Sequence, residues 1–455
     1  MRFSLALIFA LAAAAQTPGT MKDRARQYLV DLIRLDSTNP RGNETRVANY
    51  LKKVADAEGI PCELLGPDPA RLNFVARLNG SGGGRALLLM AHSDVVPADR
   101  SQWSVPPFAA LVRDGFIYGR GAQDDKSLLA AELAVIVELK RRGTALRRPV
   151  ILLSEADEEA DSSGIQWLIH NAYAKIDAEF AINEGGGGNM RKGKYLTNEV
   201  QASEKVFQDF HLEVTNPGGH SSLPVKDNAI YHLAGGLARL AAFEFPVQMN
   251  EVTRGYFERS ASVQDDPKMA ADMRAVARPT PDAAAAARLS AAVPFYNSLM
   301  RTTCVATRLQ GGHANNALPQ MAGANVNCRI LPGVSPASVK DKLVEVLADP
   351  QIKVSFVGEA NPSKPSPLRS DVMNTVETLT KQLFPGVVVV PVMSTGATDG
   401  LYLRNAEIPT YGIDGTFGDL DDVRAHGKDE RVGVKQFYEG LEFQYRLIKM
   451  LASPR

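Results

Sequence analysis

The chain has 455 residues, 45% of them hydrophobic and 22% charged, with 37 glycines and 27 prolines. That make-up suits a globular protein of two to three domains at about 150 residues each, and it excludes a disordered chain, a collagen-like fibre and a multi-span membrane protein. Lys plus Arg number 51 and Asp plus Glu number 51, so the overall charge recommends neither nucleic acid nor an anionic membrane as partner.

Residues 1–20 open with one Arg, an apolar run from Phe3 to Ala15 and then small residues. This layout predicts a secretory signal peptide over 1–15, cut before Gln16, and an exported protein. The run is too short to span a bilayer comfortably. Cys62, Cys304 and Cys328 are the only cysteines. An odd count in no metal-like spacing is not a disulfide framework, and it leaves both a Cys304–Cys328 bridge and buried free thiols open.

Val47–Ala57 has helical spacing, and Asn73–Leu78 reads as a strand. Ala86–Ala91, Val150–Leu153 and Phe180–Ile182 are continuous apolar runs, with a helix over Lys126–Arg142 between them. Strands alternating with helices predict an α/β domain with a mainly parallel sheet. Near residue 206 the pattern changes. Phe207–Val214 alternates, and a helix from Asn228 and an Ala-rich helical stretch to about Leu299 follow. Strands at Thr303–Leu309 and Ala324–Leu331, a helix at 336–347 and a strand at Lys353–Val357 complete a small α+β module. After Pro362 the α/β pattern returns, with helices at 370–384 and 433–452 around the apolar strand Val387–Val392. The predicted organisation is a catalytic domain over 20–205 and 359–455, interrupted by a module over 206–358.

Each of three apolar strands runs into potential ligands. The first ends in His92-Ser93-Asp94, the second in Glu155, Asp157, Glu158 and Glu159, and the third in Asn183-Glu184. Between the first two lies Gly119-Arg120-Gly121-Ala122-Gln123-Asp124-Asp125-Lys126. Open α/β sheets bind ligands beyond the carboxyl ends of their strands, so these segments deliver imidazole and carboxylate to one edge. Such donors suit zinc. Adjacent glutamates among further acids repel one another unless cations intervene.

These motifs, with Ala425-His426-Gly427-Lys428-Asp429-Glu430, resemble the two-zinc exopeptidases and deacylases: glutamate carboxypeptidase, aminoacylase, acetylornithine deacetylase, succinyl-diaminopimelate desuccinylase and the Gly-X carboxypeptidases. The resemblance implies a zinc-peptidase α/β domain with an inserted lid that mediates homodimerisation. It implies two zinc ions per subunit, with cobalt or manganese as substitutes. His92 and Glu184 would bind one ion, Glu159 and His426 the other, and Asp124 both; Glu184 stands where many relatives carry Asp. Glu158 would be general base and acid, with a metal-bridging hydroxide as nucleophile, and Asp94 would orient His92. In the module, Gly218-Gly219-His220-Ser221-Ser222 would bring His220 across a dimer to the oxyanion. Asn316 and Arg329 would bind substrate, Arg329 through a terminal carboxylate. By residue type alone, His220 is a solvated loop residue and Arg329 an exposed strand residue. Ala397 replaces a commoner Gly in the loop Thr395–Gly400.

The expected function is hydrolysis of an amide in small peptides or N-acyl amino acids, releasing a free amino acid. A dipeptidase or aminopeptidase of the same family is the near alternative, and a non-catalytic metal-dependent binding protein the distant one. A serine hydrolase lacks its Gly-x-Ser-x-Gly elbow.

Overall fold

The computed structural model describes residues 19–453, so the expected signal peptide over 1–15 lies outside the described residues. A 10-stranded mixed sheet organises the larger part of the chain. At its centre Val150–Glu155, Ala86–His92, Ala178–Asn183 and Thr410–Gly412 run parallel in that spatial order. Antiparallel strands Cys62–Leu65 and Asn73–Leu78 close one side. Lys194–Glu204 continues the other side, where Val388–Ser394 pairs with it in parallel.

Ala86–His92 and Val150–Glu155 are buried along their whole length, as expected where helices cover both faces of a sheet. Their side chains alternate between two cores. Leu87, Leu89 and Ala91 face the helices Met21–Arg34, Lys126–Arg141 and Val434–Ala452. Leu88 and Met90 face Ile165, Leu168 and Leu403. The carboxyl ends of Val150–Glu155, Ala86–His92 and Ala178–Asn183 therefore finish on one edge, with His92 directly opposite Glu155.

A separate antiparallel sheet has the order Thr303–Gly311, Met321–Ile330, Val206–Thr215, Lys353–Val357. Val206, Gln208, Phe210, Leu212 and Val214 are buried while the residues alternating with them are not, which is the alternation of a sheet covered on one face. The helices Ala229–Ala242 and Pro336–Leu347 supply that cover through Leu233, Leu240, Val339 and Leu343. Cys304 and Cys328 sit opposite each other in the ladder and are bonded as a disulfide.

The helices between 251 and 300 lie in the interval 206–358, yet their apolar faces join the larger core through Val252, Phe257, Met273 and Leu289. Arg259 Nη1 donates to the Val389 carbonyl at 3.1 Å, fastening the first of them to the large sheet. No helix of the described residues is long and apolar enough to cross a membrane.

Candidate metal centre

His92 is the last residue of its strand, with its ring buried. Its Nδ1 donates to the Asp94 carbonyl at 3.0 Å, which leaves Nε2 facing Asp124 Oδ1 at 2.8 Å. The Asp94 carboxylate is 0% exposed and accepts the backbone N–H of Glu158 at 3.1 Å and of Glu159 at 3.0 Å. One residue thus aligns the His92 ring, through its carbonyl, and the turn carrying both glutamates, through its carboxylate. Asn39 also donates to it. Behind it Arg71 pairs with Glu44 at 2.7 Å and Asp157 at 2.5 Å.

Asp124 lies just before the helix Lys126–Arg141. Its other oxygen, Oδ2, meets His426 Nε2 at 3.0 Å, and that nitrogen also meets Glu159 Oε1 at 3.0 Å. Two groups of potential ligand atoms, each within 4.8 Å, therefore share Asp124: His92–Asp124–Glu184 and Asp124–Glu159–His426. Glu158 falls in a third such group with His92 and Glu159. The structure brings together His92, Asp124, Glu158, Glu159, Glu184 and His426, and sets Asp94 behind them.

The cluster is electrostatically unfinished. Among the described residues no Lys or Arg forms an ion pair with Asp124, Glu158, Glu159 or Glu184. Burial, then neighbouring carboxylates, push the carboxyls of Glu158 and Glu184 well above their usual range. Burial opposes ionisation of Asp124 too, but hydrogen bonds from His426 and His92 outweigh it and hold that carboxyl low. Hydrogen bonds to Asp124 and Glu159 raise His426 to about 10. Buried carboxylates without a paired Lys or Arg call for positive charge, and an imidazole–carboxylate donor set fits divalent metal ions.

Other expected site residues lie elsewhere. His220 and Asn316 are exposed on the smaller sheet's loops. They are neighbours there: Gly219–His220 pairs with Ala317–Leu318, and Ser221 N donates to the Asn316 carbonyl at 3.1 Å. His220 Nδ1 faces Ser222 Oγ at 2.7 Å. Arg329 is half-buried over the Phe207 ring, 4.9 Å from its centroid. Phe207 lines a cavity of about 380 Å³ with Glu158, Glu159, Lys205, Ala397 and Tyr402. That cavity therefore opens directly on the acidic pair.

Glu204 and Arg404 belong to none of the motifs given above. They form a buried pair at 2.6 Å beneath this cavity. Glu204 Oε2 accepts from Thr398 N at 3.1 Å and Thr398 Oγ1 at 3.0 Å, and so fixes the loop beside Ala397. No spacing signals such a pair, because its partners are 200 residues apart in the chain.

A central α/β sheet, a separate antiparallel sheet and carboxylates with imidazoles at one strand edge define a metallohydrolase of the exopeptidase type. The chain belongs to peptidase family M20/M25/M40, whose model matches residues 88–450. It is 29% identical over 374 residues to the human N-fatty-acyl-amino acid synthase/hydrolase PM20D1, covering 80% of this chain and 73% of that one. It is 25% identical over 413 residues to carboxypeptidase S of Saccharomyces cerevisiae, covering 80% and 71%. In fold it is similar to the M20 family metallo-carboxypeptidase Sso-CP2 of Sulfolobus solfataricus, with a TM-score of 0.68, 22% identity and coverage of 94% and 99%. It is also similar to the YXEP protein of Bacillus subtilis, a dinuclear metal binding peptidase, with a TM-score of 0.63, 13% identity and coverage of 95% and 98%. The protein is a metallopeptidase or amidohydrolase of this family, like the carboxypeptidases and N-acyl amino acid hydrolases within it.

Proposed function

We propose that the protein uses two zinc ions to hydrolyse the amide bond of small peptides or N-acyl amino acids, releasing a free amino acid. The observation that carries this reading is the pair of ligand groups sharing Asp124, with Glu158 beside both and facing a cavity. His92, Asp124 and Glu184 would hold one ion, and Asp124, Glu159 and His426 the other; cobalt or manganese would suit the same donors. When bound, the pair supplies Lewis acidity and a water of lowered pKa.

This chain's own residues do the rest. Glu158 takes the proton of the attacking water and hands it to the leaving nitrogen. Its burial favours holding that proton between the two transfers. Asp94 keeps the Glu158–Glu159 turn and His92 aligned throughout. Arg329 grips the carboxylate of the substrate from the smaller sheet, where a planar guanidinium suits two-pronged contact. Asn316 and His220, side by side at the two-stranded ribbon formed by Gly219–His220 and Ala317–Leu318, complete the site of a second subunit, His220 donating to the developing oxyanion. Support for such a dimer comes from Val305, Leu309, Ile230 and Tyr231, exposed apolar groups on an edge strand and the helix beside it, since isolated chains seldom leave such surface open. Export fits a bonded Cys304–Cys328 pair, because disulfides persist in oxidising compartments.

The decisive experiment couples metal analysis to amino-acid release from dipeptides and N-acyl amino acids. A chelator should abolish release, and zinc or cobalt should restore it. Glu158→Ala should keep its metal and lose ~10²–10⁴ in kcat. Unchanged turnover by that variant overturns the mechanism. Turnover confined to unblocked dipeptides identifies a dipeptidase instead.

A further inference from the structure

Arg120 and Glu430 are 2% and 0% exposed and form an ion pair across 310 residues of chain. Glu430 Oε1 accepts from Gln123 N at 2.7 Å and Asp124 N at 3.1 Å, and its Oε2 accepts from Gly121 N at 3.1 Å. The carboxylate thereby grips the backbone of the loop that presents Asp124. Arg120 grips the opposite side. Its Nη2 donates to the carbonyl oxygens of His426 at 3.3 Å and Gly427 at 3.1 Å. The Trp103 ring covers the guanidinium, 5.2 Å from centroid to carbon.

The two ligand groups depend unequally on this pair. His92 ends a strand of the large sheet, and Glu184 directly follows one. Ladder hydrogen bonds and packing set where both can reach. His426 has no such support. It comes from a loop, with its backbone at φ +60. A non-glycine residue keeps that conformation only where its surroundings hold it, and Arg120 is bound to the carbonyl of that residue and of the next.

We propose that Arg120 and Glu430 are positioning residues that set the reach between Asp124 and His426, and so control metal affinity at the Asp124–Glu159–His426 group more than at the His92–Asp124–Glu184 group. This inference rests on the two-metal reading above. Removing a group that orients a metal ligand typically costs ~10–100-fold in affinity. Lys cannot substitute for Arg here, because an ammonium lacks the rigid fork that reaches a carboxylate and two carbonyls together.

The test uses the full chain, with Glu430→Gln and Arg120→Lys as variants. Zinc bound per chain is read against a graded series of chelators, with circular dichroism as the check on folding. Wild type should hold two ions. Each variant should hold one as wild type does and the second ~10–100-fold more weakly, with kcat recovering as zinc is raised. Two ions at unchanged affinity in a folded variant overturn the positioning role. So does equal weakening of both ions, or failure of both variants to fold, since either means general structural support. Wild type holding fewer than two ions overturns the two-metal reading instead, so the two failures are distinguishable.

Discussion

Lys205 joins the strand Lys194–Glu204 of the large sheet to Val206–Thr215 of the smaller one. Its Nζ is buried and donates to the Arg301 carbonyl at 2.8 Å and to Thr303 Oγ1 at 3.2 Å. Burial first, and Arg329 second, push its pKa down to about 7. An unfolded lysine titrates near 10.4, so between about pH 7 and 10 the unfolded chain binds more protons than the folded one. Stability contributed through this group therefore rises with pH across that window and is lowest below it. Urea unfolding of Lys205→Met against wild type at pH 6, 8 and 10 should show a variant whose relative stability falls as pH rises. A pH-independent difference sinks the assignment. At the same scale, the residues that cluster around Asp124 were legible as candidates because strand ends and acidic runs carry a chemical signature. Glu204–Arg404 and the hold of Glu430 on Asp124 were not, because a pair remote in sequence leaves no local pattern.

Among elements, the parallel strands Ala86–His92 and Val150–Glu155 were readable because continuous apolar runs mark burial on both faces. The strand Lys194–Glu204 was missed for the opposite reason. Its buried stretch carries Asn198, Gln201 and Glu204, which look like loop residues until their partners are known. Asn198 donates to Thr380 Oγ1 at 2.9 Å and Gln201 to Glu204 at 3.1 Å, and such bonds make polar burial tolerable. The disulfide is likewise a product of register: Cys304 and Cys328 face each other only once the two strands pair. It closes a loop of sequence separation 24, for which chain entropy suggests about 3 kcal/mol of stabilisation. Cys304→Ser with Cys328→Ser should lower the urea midpoint accordingly while leaving metal content as in wild type. A variant of unchanged midpoint would show that the bridge constrains little.

For the whole molecule, the division into two sheets explains why the expected site residues fall in two places. The candidate ligand cluster lies at the large sheet, whereas His220 and Asn316 lie at a separate two-stranded ribbon that adjoins the smaller sheet in the chain. If a second copy completes the site, disrupting the exposed edge should separate the subunits without touching the metals. Leu309→Glu, at a position 71% exposed, should shift sedimentation from dimer to monomer and lower kcat with zinc content intact. A wild-type chain that sediments as a monomer with full activity would refute the dimer.

The sequence by itself determined the donor set and the alternation of the sheets, since residue chemistry and hydrophobic period are local properties of the chain. It also carried the family, because its motifs keep their order from His92 to His426. Tertiary structure alone decided that the helices between 251 and 300 pack on the large sheet, that Glu204 pairs with Arg404 beneath the cavity, and that Arg120 reaches the backbone of His426. Those outcomes depend on which apolar faces meet and where buried charges find partners, and contacts across hundreds of residues exist only after the chain has closed.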